Sequence, residues 1–111
     1  MTNLEMLGFA AVSINRTVVY KTDRITGVDY CRFVSCADRW DPLQNDGDAL
    51  RLAVALRFRV DHLYQGGQCV MVGNGDTWAL EFYNGDAVTA TRLAIVHAAA
   101  LLGGGQKASF K

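Results

Sequence analysis

The segment Ala87–Leu102 constrains the fold more than any other part of the chain. It reads AVTATRLAIVHAAALL, with Asp86 placed to cap its start and Gly103-Gly104-Gly105 to stop it. The pattern predicts a helix that is apolar almost all round rather than along one stripe, so it has to be buried on more than one side. A membrane is not the way to bury it, because its most apolar run, residues 93–102, is too short to span a bilayer and contains His97. The helix therefore needs other elements packed around it. A chain of 111 residues has room for one domain and one core to supply them.

The remaining pattern predicts those elements. Residues 3–12 read as a first helix, with Leu4, Leu7 and Ala11 on one stripe and Asn3 as its cap, weakened by Gly8. Residues 17–21 and 30–35 read as strands joined by a polar turn at 23–29 that contains Gly27. A dense cluster of turn and cap residues follows, from Trp40 to Asp48. In it Pro42 biases Asp41 away from helix, and Asp46 suits the cap of a helix beginning near Gly47. That helix is expected to bury Ala49, Leu50, Ala53 and Val54, while Asp48 and Arg51 pair on another side.

Residues 58–64 alternate as a strand, with Phe58, Val60, His62 and Tyr64 on one side. Residues 69–73 and 77–83 form a hairpin around Gly73-Asn74-Gly75-Asp76, whose Asn-Gly step matches strand twist. Trp78, Leu80 and Phe82 share one of its faces. The expected order is αββαβββα, an α+β domain over residues 1–103 with a mainly antiparallel sheet layered between helices. Residues 104–111 are expected to be a flexible tail.

Composition narrows the function classes. Eleven Lys and Arg balance eleven Asp and Glu, so no cationic surplus exists to displace phosphate counterions in nonspecific nucleic-acid binding. Near-zero charge favours self-association, which leaves a homodimer open. Cys31, Cys36 and Cys69 are odd in number and lack the spacing of a zinc set, and they read as reduced thiols. With no basic n-region and apolar run at the N-terminus, a cytoplasmic protein is expected.

Two segments carry a resemblance. WDPLQNDGDALRLAVAL at 40–56 and ATRLAIVHAAALLG at 90–103 resemble the phage ABA-sandwich domain family, as does NLEMLGFAA at 3–11. Members often carry a W-[ND]-P-L…D-A-x-R-L-A-V motif and end in a helix like A-T-R-R-A-I-V-x-A-A-A. Arg92 matches that helix, whereas Leu93 and His97 stand where the family is often basic. The resemblance implies a layered fold of helices and sheet and a bacteriophage source, and it implies little about activity.

Candidate chemistry has to be weighed against plain structural roles. Asp41, Asn45, Asp46 and Asp48 cluster as a hard cation would want, but neither the spacing nor a terminal glutamate of a calcium loop is present. Capping and an Asp48–Arg51 pair explain them, so neither metal nor cofactor is expected. His62 and His97 are the only histidines. A pairing of His97 with Cys69 would be needed for nucleophilic chemistry, and no nucleophile elbow supports it, so no catalytic residue is assigned. Neither glycine cluster has the spacing of a phosphate loop.

The set Trp40, Arg51, Trp78 and Arg92 combines rings that stack a base with forks that hold a phosphate. Two non-enzymatic readings follow. In the first, a phage accessory protein blocks a host defence by binding a host immune protein. In the second, a sponge sequesters a nucleotide immune signal, with Arg51 and Arg92 in one concavity. A structural or regulatory phage protein is a third.

Overall fold

A computed structural model describes residues 1–62 and 67–104. Along them run α1 (Asn3–Ser13), β1 (Val18–Thr22), β2 (Asp29–Phe33), α2 (Asp46–Ala55), β3 (Arg59–Asp61), β4 (Cys69–Asn74), β5 (Thr77–Phe82) and α3 (Ala87–Leu102). This is the α+β order expected from the sequence. The strands fall into two antiparallel sheets, β1-β2 and β3-β4-β5. The expected strand end at 63–64 and the tail from 105 lie outside the described residues.

Helix α3 takes the central place. It packs against β4 and β5 and against α1 and α2. Ala94, Val96, Ala98, Ala99 and Ala100 have no exposed surface, as an all-round apolar helix requires. Small side chains let its neighbours approach, and Ala10 and Ala11 of α1 are equally buried. The approach is tightest at Gly103, where a Cβ would fall 1.7 Å from the carbonyl oxygen of Phe9. Gly103 has an ordinary φ of −76°, so what it supplies is space. The chain leaves the helix through Gly104, at φ +105°.

In the three-stranded sheet, Val70 and Val72 of β4 and Ala79 of β5 join the core against α3. Alternation puts Met71, Trp78, Leu80 and Phe82 on the other face. The hairpin turns one residue later than the sequence suggests. Asn74 pairs with Thr77, so the loop is Gly75-Asp76, with positive φ at Gly75. A glycine in the first loop position is the other favoured two-residue turn. Asn74 is thereby free to donate from its side chain to the carbonyl of Leu56 at 2.9 Å.

The helix starts also correct two sequence expectations. The cap of α1 is Thr2, not Asn3: its hydroxyl accepts from the Glu5 N–H, and the Glu5 carboxylate accepts from the Thr2 N–H. The cap of α2 is Asn45, not Asp46, its side chain accepting from the Asp48 N–H. Asp86 caps α3 as expected, accepting from both the N–H and the hydroxyl of Thr89, which hold its carboxyl below the usual carboxylate range. Gly8 has a packing reason in α1, since Tyr20 donates to the Leu4 carbonyl and a Cβ on Gly8 would lie 2.4 Å from the Tyr20 oxygen.

Helix α2 buries Ala49, Leu52 and Ala53. The expected stripe also held Leu50 and Val54, yet these are 63% and 67% exposed. The reason is geometric: α2 meets α3 along one side only, and its apolar residues outnumber those that side can cover.

Candidate functional site

The turn from Trp40 to Asp48 is assembled by local hydrogen bonds. The Trp40 N–H donates to the Cys31 carbonyl at 2.9 Å, and the Cys31 thiol donates to the Trp40 carbonyl at 3.3 Å. The Trp40 ring lies 4.6 Å from that of Phe33 and only 6% of the residue is exposed. It pins the turn to the core and offers no free face to a base.

The acidic residues of the turn are each engaged by chain donors. Asp41 accepts from the Leu43 N–H, and burial pushes its carboxyl up. Asp48 accepts from the Asp41 N–H with one oxygen and from Arg51 with the other, the pair expected from the sequence. Asp46 pairs with Arg92.

Arg92 does more than pair. Its Nε donates to the Leu43 carbonyl at 2.8 Å, one terminal nitrogen to Asp46 at 2.6 Å and the other to the Thr89 hydroxyl at 3.1 Å. One guanidinium thus joins α3 to the turn and to the first residue of α2, connecting the two segments that carry the family resemblance. Arg51, by contrast, has a side chain 75% exposed and, among the described residues, holds only Asp48. Trp78 donates from its indole to the Gly75 carbonyl at 2.6 Å, which lays it along the hairpin end.

Two concavities flank α2. One is a groove of 370 Å³ between α2, β3 and α3, lined by Leu50, Val60, His62, Val88, Arg92 and Ile95 among others. The other is an open cleft of 390 Å³ between α2 and the segments around β2, lined by Arg16, Phe33, Arg39, Trp40, Arg51 and Leu52 among others. Arg51 therefore belongs to the cleft and Arg92 to the groove. The four residues singled out from the sequence do not converge, because Arg92 is engaged by the turn and Trp78 lies along the hairpin end. Sequence reasoning missed Arg16 and Arg39, which have no spacing signal and are brought to the cleft by tertiary packing. It placed Leu50 and Val54 on the buried stripe of α2, whereas they line the groove or stand beside it.

Each histidine has a partner of its own. His62 shares a 2.7 Å hydrogen bond with the Tyr83 hydroxyl. His97 lies 3.5 Å from Glu81, on the sheet face toward α3, whereas Cys69 alternates to the opposite face of β4. Among the described residues no three His, Cys, Asp or Glu side chains are grouped to hold a metal ion.

Burial, reinforced by the nearby carboxylates of Asp41 and Asp48, pushes the Cys31 thiol up to about 11. Cys36 is only partly buried, with an Arg16 nitrogen 3.7 Å from its sulfur. Thiolate is the reacting form, so alkylation of the native protein near neutral pH is expected to mark Cys36 first. Cys31 should react only after denaturation. Peptide mass mapping with and without denaturant checks this, and equal labelling of both in the native state would contradict the packing of Trp40.

No family model matches the chain, and no curated protein or solved structure is significantly similar to it. The likeness to phage ABA-sandwich proteins rests on the segments quoted above. Among the described residues no helix is long and apolar enough to cross a membrane.

Proposed function

We propose that this chain is a phage-encoded accessory protein of the host cytoplasm that acts without catalysis, binding and blocking a host immune protein. One observation carries the reading. Leu50, Val60 and Val88 line the groove beside α2 and are 63%, 37% and 55% exposed, with Val54 next to them on the helix. Clustered apolar side chains rimmed by polar ones are how protein-binding surfaces are built. His62, Thr91 and Arg92 supply such a rim here. Arg92 and its partners also hold α2 and α3 in place, so the groove is shaped before a partner arrives. The phage setting comes from the resemblance of the turn and the last helix.

Leu50→Asp tests the reading, because Leu50 projects from the fold and its replacement leaves the core untouched. Loss of a central apolar contact costs about 2 kcal/mol, which is roughly thirtyfold in affinity. In a host carrying the relevant defence, expression of the parent protein is expected to restore plaque formation by a sensitive phage. The variant should fail to do so while melting at the parent's temperature. Equal protection by both would remove the groove from the function.

A further inference from the structure

We infer that the cleft on the opposite side of α2 is an anion-binding site, suited to a small molecule bearing a diphosphate or similarly multiple phosphate charge. The inference is independent of the groove, since it uses a different side of the helix and different residues.

Three guanidinium groups border this cleft: Arg16, Arg39 and Arg51. Two are fixed by stacking, Arg16 over the Phe33 ring and Arg39 over the Tyr30 ring, each 4.0 Å from the ring centre. A stacked guanidinium has little rotational freedom left to lose, so its N–H edge is ready for a ligand. The nitrogens are also underused. Arg39 gives one terminal nitrogen to Asp23, and Arg51 gives one to Asp48. Arg16 has no carboxylate partner among the described residues, only the Cys36 sulfur at 3.7 Å. A guanidinium carries five N–H donors, so most of this capacity remains open.

The backbone adds donors. Ala37, Asp38 and Arg39 line the cleft, and none of their N–H groups is given to an acceptor among the described residues. The apolar part of the lining includes Ile14, Leu52 and Ala55, which can cover an uncharged portion of a ligand. Asp38 and Asp48 also border the cleft and offset two of its three positive charges, so binding rests on directed N–H donors rather than on net charge. What favours phosphate is forked recognition: each guanidinium can give two parallel N–H bonds to phosphate oxygens, and several guanidinium groups can share a diphosphate. The Trp40 ring is too buried to stack a base, so specificity for a particular base is not part of the site.

Titration calorimetry with inorganic pyrophosphate, ADP and adenosine tests this. Pyrophosphate and ADP are expected to bind with affinity that falls as salt rises, and adenosine is expected not to bind. Arg51→Ala should weaken binding about tenfold without moving the melting temperature. Arg16→Lys, which keeps the charge and loses the fork, should weaken it by a similar factor. Leu50→Asp should leave it unchanged, which separates this site from the groove. No heat from pyrophosphate or ADP up to about 1 mM, where affinity is about 4 kcal/mol, would overturn the inference. So would binding that both arginine variants retain in full, or binding of adenosine equal to that of ADP.

Discussion

Gly103→Ala is expected to destabilise the protein by about 3 kcal/mol, lowering the melting temperature by roughly 12–20 °C in a domain of this size. Within a helix, alanine is ordinarily better than glycine by about 0.5–1 kcal/mol, and the φ of −76° at Gly103 suits alanine equally. Here sterics outweigh that gain. The new methyl would sit 1.7 Å from the Phe9 carbonyl oxygen and 2.7 Å from its carbon, and these are backbone atoms of α1 that cannot rotate away. Relief requires α1 and α3 to separate, which opens the contact built from Ala10, Ala11 and the alanines of α3. Gly104→Ala is the contrast. Nothing lies within 4 Å of its added Cβ, and its cost of about 1 kcal/mol comes from the positive φ alone. Thermal melts of the two variants should therefore differ widely. Similar melting temperatures would mean that helix termination, not helix contact, is what Gly103 serves.

Arg92→Ala is expected to cost about 2–3 kcal/mol, seen as a lower urea midpoint with an unchanged slope. Most of this comes from the bond to the Leu43 carbonyl, which is partly buried and made by a charged donor. The pair with Asp46 adds little, because the Asp46 side chain is 74% exposed and solvent screens it. Arg92→Lys should recover less than half of the loss, since an ammonium cannot reach three acceptors along the edges of one plane. Arg51→Ala is expected to stay within about 0.5 kcal/mol of the parent, because the Arg51 side chain is 75% exposed and solvent screens its pair with Asp48. If Arg92→Ala were equally silent, the turn would be held by Trp40 and Pro42 without it.

The contrast between these arginines shows how far the sequence can be read. Both sit in segments of family-like pattern, and residue type alone gave both the same potential for holding phosphate. Their difference lies in neighbours contributed by distant parts of the chain: Leu43 is forty-nine residues from Arg92. The cap of α2 is a milder case. Asn45 and Asp46 are adjacent residues that both suit the role, and residue type alone does not choose between them. The hairpin loop sits one residue later than turn preference suggests, and Asn74, paired with Thr77 in the strand, donates to the Leu56 carbonyl, a partner that local pattern does not contain.

What the chain determined by itself was local and periodic: three helices, five strands, their order, the cap at Asp86, and an apolar last helix that had to be enclosed. Those properties follow from side-chain spacing and backbone preference, which act over a few residues. Tertiary structure decided the division of the strands into two sheets, the packing of α3 against α1, α2, β4 and β5, and which apolar residues of α2 were left over. It also decided the two concavities, because each is bordered by side chains from segments far apart in the chain. Packing, which acts between such segments, is the physical term that a linear pattern does not contain.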